Sequence, residues 1–460
     1  MRTLSISYYL LAGVLMLTAA CSDSDDDEPN EELGVEMGDG GASPDDAVRT
    51  PADGTILPIV FVHGGAGSAQ QYASQAIRFA LNGYPQEQIV GYDHDGQGFD
   101  VEPFLAGLDE VVNGVRTKFD ADQVYLVGHS RGTLVSSRYL SDPERAAKVA
   151  KYISLDGGPC DGIPVPCIGP NQAALPGQKH VEVATSKESF AMQYEFLMGK
   201  APDTIDIEPQ SGPVELRGRA VNFPANTGRD GARLEFWEID GDTGYRTGDD
   251  PVMMFDLGPD GAWGPAMVEP GVYYELVLYD PGSESRQHFY PQPYVRDSFL
   301  ERLLSGPPDS PTRMNSNVGD GTHTGLTVLR MREWLPSDVL EVETKRPDGK
   351  GTEKTNVITD DNVPLPEMGM GLGVGEPIAI YLHDDVATPT ETTLELLPWF
   401  PEQFFQTGID VFMPAADPPD GTITLTNFPR GDESKAQTMN VPNWRMDKHT
   451  VMVLFSDFPH

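Results

Sequence analysis

The sequence is poor in three things. Basic residues are scarce: 32 Lys and Arg stand against 71 Asp and Glu, a formal net charge of −39. Such a chain repels a phosphate backbone, so nucleic acid is excluded as a partner, and the charge is read as serving solubility. Only three cysteines occur, too few for a disulfide framework and without metal-ligand spacing. Beyond residue 20 no apolar run approaches the roughly 18 residues that a membrane-spanning helix needs. What 460 residues do allow is two to four domains and a sizeable core.

The one long apolar run lies at the start. Arg2 precedes a mostly apolar stretch, residues 4–20, that ends Leu17-Thr18-Ala19-Ala20-Cys21. A positive start, an apolar middle and small residues before a cut describe an export signal. Small residues directly before Cys resemble the bacterial lipobox, with Thr18 standing where such boxes usually carry Leu. Residues 1–21 are therefore read as a lipoprotein signal peptide and Cys21 as the lipidated residue. Residues 22–50 are acidic, Gly/Pro-bearing and almost free of large apolar side chains, which describes a solvated tether. The protein is expected to be exported and lipid-anchored to a bacterial membrane, on the cell-surface or outer-membrane side. The remaining Cys160 and Cys167 are expected to form a local disulfide.

From residue 51 the pattern alternates. Apolar runs at 56–62, 88–92, 124–127 and 152–155 are separated by segments of helical spacing, such as Val101, Phe104, Leu105, Leu108, Val112 and Val115. Strands alternating with helices imply a mostly parallel sheet covered on both faces, assigned here to residues 51–211. The run Val124-Tyr125-Leu126-Val127 feeds Gly128-His129-Ser130-Arg131-Gly132, and a helix-competent segment follows. In a chain with 48 glycines the Gly-x-Ser-x-Gly pattern alone is weak. Strand, turn and helix around it describe a nucleophile elbow, in which a Cβ at either glycine would collide with the flanking elements.

Ligands of such sheets sit beyond the carboxyl ends of the strands. There fall the loop His63-Gly64-Gly65-Ala66-Gly67, then Ser130, and Asp156 at the end of the next strand. His180 lies in a later loop, which gives the order Ser…Asp…His of α/β hydrolases. Serine needs a base to take its proton, imidazole titrates near neutrality, and a carboxylate fixes the imidazole tautomer. The candidate triad is Ser130, Asp156 and His180, with the backbone N–H groups of Gly65 and Arg131 as oxyanion donors. Asp161 is the alternative acid and His323 the rival base. His63 and His129 flank the site and are read as shaping its loops.

These residues resemble a known family. The run His63-Gly64-Gly65-Ala66-Gly67-Ser68-Ala69 through Arg78 to Pro85 is similar to lipases that carry a C-terminal β domain behind an α/β-hydrolase domain, of the archaeal carboxylesterase/lipase type. So are Leu155-Asp156-Gly157, His180-Val181, Tyr194-Glu195-Phe196, Asp206-Ile207-Glu208-Pro209-Gln210 and the closing Asp447-Lys448-His449-Thr450. The resemblance runs from about Leu57 to the C-terminus, with gaps in the β region, and implies the same triad and oxyanion donors. Two departures stand out. Only residues 93–123 separate the second strand from the elbow strand, which leaves little room for a helical lid. The path from Asp156 to His180 also carries little strand pattern.

From about residue 212 the period changes to alternation between Gly, Asp and Pro turns, which describes half-buried antiparallel sheet. Residues 212–338 are read as a β-sandwich-like module with a helical connection at 297–304, and residues 339–460 as a second β module. The cluster Asp240, Asp242, Asp249 and Asp250 lacks EF-hand spacing, so no metal is assigned. Met368-Gly369-Met370-Gly371-Leu372 is read as a turn, although such a stretch can also line an acyl channel. The expectation is a cofactor-free serine ester hydrolase acting on an ester or lipid. An amidase or polyester hydrolase of the same fold, and an inert surface-binding lipoprotein, are the alternatives.

Overall fold

A computed structural model describes residues 56–98, 100–306, 322–349, 351–359, 376–384, 392–397 and 405–458. The signal peptide, the tether, Cys21 and the Met368–Leu372 stretch lie outside the described residues.

The hydrolase region is built on β1 (Ile59–Val62), β2 (Ile89–Tyr92), β3 (Val124–His129), β4 (Val149–Leu155) and β5 (Cys167–Ile168). They form one parallel sheet in the order β2-β1-β3-β4-β5. All of β1 and β3 is buried, which explains their unbroken apolar character. Each buried Val, Leu or Phe side chain there contributes about 1.5–3 kcal/mol. One face packs against α1 (Ala73–Leu81), where Phe61, Tyr72, Phe79 and Phe190 meet. The other packs against α2 (Glu102–Lys118) and α3 (Arg131–Leu140), with Leu108, Val112 and Val135 in its core.

The helix α4 (Pro143–Ala146) starts on Pro143 and is capped by Asp142, whose carboxylate accepts the N–H groups of Glu144 and Arg145. The interval 93–123 holds α2 as its one helix among the described residues. The last strand, β5, pairs only two residues with β4, and its first residue, Cys167, is disulfide-bonded to Cys160. Beyond it come α5 (Glu182–Thr185) and α6 (Lys187–Met198); Gly199 closes α6 in the left-handed conformation at φ 70°.

The remainder is sheet. Val214–Asn222 lies between Ala262–Val268 and Ser298–Ser305 in a four-stranded sheet. An eight-stranded sheet draws on strands either side of residue 338, from Arg233–Ile239 to His449–Phe455 in the chain. A third sheet holds Val339–Lys345, Thr422–Phe428 and Gln437–Pro442. The third sheet is antiparallel throughout, but the first two are mixed: Ser298–Ser305 runs parallel to Val214–Asn222, and His449–Phe455 parallel to both Arg286–Pro291 and Leu326–Arg330.

One expected element is overturned. Residues 297–304 are not a helical connection but lie on a strand, Ser298–Ser305, parallel to Val214–Asn222. Its apolar spacing mimics a helix because both faces are buried. Leu300 packs into the hydrolase core and Leu303 into the core of the β module.

Candidate active site

Ser130 sits between β3 and α3 with φ 51° and ψ −123°, a conformation that costs a non-glycine residue about 1–3 kcal/mol. Its surroundings hold it there. The Ser130 N–H donates to Leu155 C=O at 3.0 Å, and its own C=O accepts from Thr133 N–H at 2.9 Å and Thr133 Oγ1 at 2.7 Å. A Cβ on Gly132 would lie 2.2 Å from Val62 O, and one on Gly128 2.7 Å from Gly132 O. Both glycines of the elbow are thus required by close approach of backbone. A Cβ on Gly64 would lie 3.0 Å from Ser130 Cβ and 3.1 Å from His129 Nδ1, so the Gly-rich loop lies directly over the serine.

Asp156 ends β4 at φ 38°. Its carboxylate accepts from Gln172 N–H at 3.1 Å, from Gln172 Nε2 at 2.8 Å and from His180 Nδ1 at 2.6 Å. Burial opposes its ionisation, but the His180 and Gln172 hydrogen bonds outweigh that and hold its pKa below the usual carboxylate value. His180 Nδ1–H is the donor, which leaves Nε2 as the acceptor nitrogen. That atom is buried with no hydrogen-bond partner among the described residues. The alternatives fall elsewhere. Asp161 is exposed, and His323 pairs with Asp384 at 2.9 Å.

His129 bridges the two halves. It accepts from Gln71 Nε2 on Nδ1 at 2.7 Å and donates from Nε2 to His180 C=O at 2.9 Å, and its ring lies 4.6 Å from that of His180. Burial, with His180 beside it, lowers its pKa to about 3, so it is a neutral positioning group.

The Gly-rich loop is fixed by a second histidine pair. His63 and His94 stack at 3.9 Å, and His94 Nε2 donates to His63 C=O at 3.0 Å. Arg131, the residue after Ser130, donates to His94 Nδ1 at 2.9 Å and to the carbonyls of Asp95, Gln97 and Gly98. Its side chain therefore ties the loop after β2 to the elbow, while its N–H, at the start of α3, and the Gly65 N–H have no acceptor among the described residues. Ala66 N–H is engaged by Gly96 C=O at 2.8 Å.

Sequence reasoning missed the residues that reach in from the β region. Asn226 Nδ2 donates to Gly67 C=O and to His94 C=O, each at 2.8 Å. Gly96 N–H donates to Pro224 C=O at 2.7 Å. Arg302 and Arg219 meet buried Asp93 at 2.8 and 2.9 Å. Burial would raise the pKa of Asp93, but Arg302, His63, the Ala69 N–H and Arg219 bring it to about 2. Phe405 stacks parallel to the His180 ring at 6.1 Å, and Glu333 binds the backbone beside it. Only an odd local pattern, Phe223-Pro224-Ala225-Asn226 at the end of a strand, could have flagged any of these. Elsewhere, Asp240 of the acidic cluster accepts the N–H groups of Asp242 and Thr243 and so closes its own turn.

Three family models tile the chain. The α/β hydrolase fold matches residues 58–181, the lipase C-terminal domain residues 212–308, and a further C-terminal domain residues 314–459. No curated protein matches. Among solved structures, the propeptide form of the Bacillus licheniformis lipase BlEst2 is 12% identical, with 84% of this chain and 93% of that one covered and a TM-score of 0.27. Its mature form is 23% identical over 33% of this chain and 54% of that one, TM-score 0.20. The epoxide hydrolase VrEH1 of Vigna radiata is 20% identical over 22% and 33%, TM-score 0.18. The chain thus spans a third to about half of the first neighbours' length, and the assignment rests on the family models. The chain thus carries an α/β hydrolase fold over residues 58–181, followed by a lipase C-terminal domain over residues 212–308.

Proposed function

We propose that the protein is a serine-dependent carboxylic ester hydrolase, lipase-like in substrate class. The observation that carries this reading is the 2.6 Å bond from His180 Nδ1 to Asp156, which leaves Nε2 as the free base on a ring 4.6 Å from that of His129, the residue before Ser130. Ser130 Oγ attacks the acyl carbon while His180 Nε2 takes its proton. Asp156 stabilises the imidazolium and fixes its tautomer. The Gly65 and Arg131 N–H groups receive the oxyanion. Collapse of the tetrahedral intermediate breaks the ester C–O bond, and His180 returns its proton to the leaving alcohol. Water then attacks the acyl-Ser130 ester, giving up a proton to His180, and the acid leaves as Ser130 recovers its hydrogen. Attachment to a bacterial membrane through lipidated Cys21 belongs to the same proposal; an acyl-modified Cys21 as the N-terminal residue of the mature protein is the expected mass.

Hydrolysis of p-nitrophenyl esters of increasing acyl length, wild type against Ser130→Ala, tests the reading. Activity lost in the variant supports it. Activity equal in both, or greater on the matched anilide than on the ester, removes it.

A further inference from the structure

We infer that Glu333, supplied by the C-terminal region, is a positioning residue for the His180 imidazole. The inference rests on the proposed role of His180 as base.

Glu333 is 1% exposed and reaches back across the chain to the two peptide groups that follow His180. Its Oε1 accepts the Val181 N–H and its Oε2 the Glu182 N–H at 3.0 Å. Both carboxylate oxygens are thus spent on the backbone that carries the imidazole. A buried carboxylate without a cation is costly, and none pairs with this one among the described residues. What faces it are those N–H donors and His180, whose charge favours the ionised form against the burial that raises its pKa. A negative group behind the imidazole has a use when that ring becomes a cation during acylation.

The rest of the C-terminal region holds this clamp rigid. Arg330, buried against Asp338, donates to Glu333 C=O. Arg332 and Arg430 grip the Glu182 carboxylate at 2.5 and 3.1 Å, and Arg430 also binds Asp338 at 2.8 Å. Lys179, on the other side of His180, pairs with Glu376 at 2.8 Å. Segment 179–182 is therefore gripped at three of its four residues by Arg332, Glu333, Glu376 and Arg430. From the hydrolase side, its central carbonyl receives one bond, from His129.

Glu333→Gln keeps the shape but offers one acceptor where two N–H groups need one each, and it removes the charge. Three readouts decide: kcat and KM on a short-chain p-nitrophenyl ester, the low-field proton resonance of the His180 Nδ1–H, and the unfolding midpoint. Expected is a fall in kcat of about 10- to 100-fold with KM little changed, and a shifted or broadened resonance in a protein that still unfolds cooperatively. Glu333→Asp, which keeps the charge but retracts it, is expected to lose less and serves if the first variant does not fold. A folded variant with unchanged kcat and an unchanged resonance overturns the inference. So does loss of cooperative folding in both variants, because a positioning role must be separable from the fold. If instead wild type hydrolyses no ester, the reading of His180 has failed, and the resonance alone still reports whether Glu333 orders the ring.

Discussion

The two halves of the site are held in opposite ways. Around Ser130 every contact is local to the hydrolase sheet: Val62, Gly128, Gly132, Thr133 and Leu155 fix the elbow by close backbone approach and short-range hydrogen bonds. Around His180 the loop after β5 carries no long strand, and its geometry is set by Glu333 and its neighbours, with partners up to 248 positions away. The Gly-rich loop is intermediate, braced locally by Arg131 and remotely by Asn226. The proposed nucleophile is thus the product of one motif, whereas the proposed base is set in place by residues more than 100 positions away. Changes at a distance should therefore act on the base side first.

The largest effects should come from the reacting groups themselves. Ser130→Ala is expected to lower kcat by about 10⁶-fold, and Asp156→Asn by about 10⁴-fold through the wrong imidazole tautomer. Both should keep the unfolding midpoint within a few degrees. Equal, small losses from the two would mean that the elbow and the Asp156–His180 pair do not work together.

Asn226→Ala sharpens the remote side of the comparison. It strands the carbonyls of Gly67 and His94 in a buried site, at a cost of about 1–3 kcal/mol. Slower acylation with an intact Asp156–His180 bond is expected, read by pre-steady-state kinetics beside the imidazole resonance. An unchanged acylation rate would show that the Gly-rich loop needs no brace from the β region.

Near neutral pH the smallest effect concerns the bridge between the halves. His129 has a pKa of about 3 when folded against 6.5 ordinarily. Above pH 6.5 it is neutral folded or unfolded and stability is unaffected. Below that, the unfolded chain takes up a proton that the folded one refuses. Acidification then removes up to about 1.4 kcal/mol per pH unit from this residue alone, until the folded pKa is reached. Its ring signals should not titrate between about pH 7 and about pH 5 in an NMR titration. A midpoint near 6.5 would mean that the Gln71–His129–His180 bridge is open.

Legibility in the sequence followed the same divide. The elbow could be read because strand, Gly, Ser, Gly and helix are consecutive, so local sterics and local pattern are one signal. Asp156 and His180 were readable through chain order, since strand ends in a parallel sheet bring such residues together. Glu333 and Asn226 were not, because nothing adjacent to them in sequence records a partner 132 or more positions away. The misread strand at Ser298–Ser305 has the same origin. Its two buried faces belong to two different cores, and burial on both sides erases the alternation that marks a strand.

The most direct test is covalent trapping with an alkyl p-nitrophenyl phosphonate, followed by intact mass and peptide mapping. One adduct per chain is expected, on Ser130, formed with release of one p-nitrophenolate and absent from Ser130→Ala. No adduct on folded wild type, or an adduct on another residue that survives in Ser130→Ala, would contradict it.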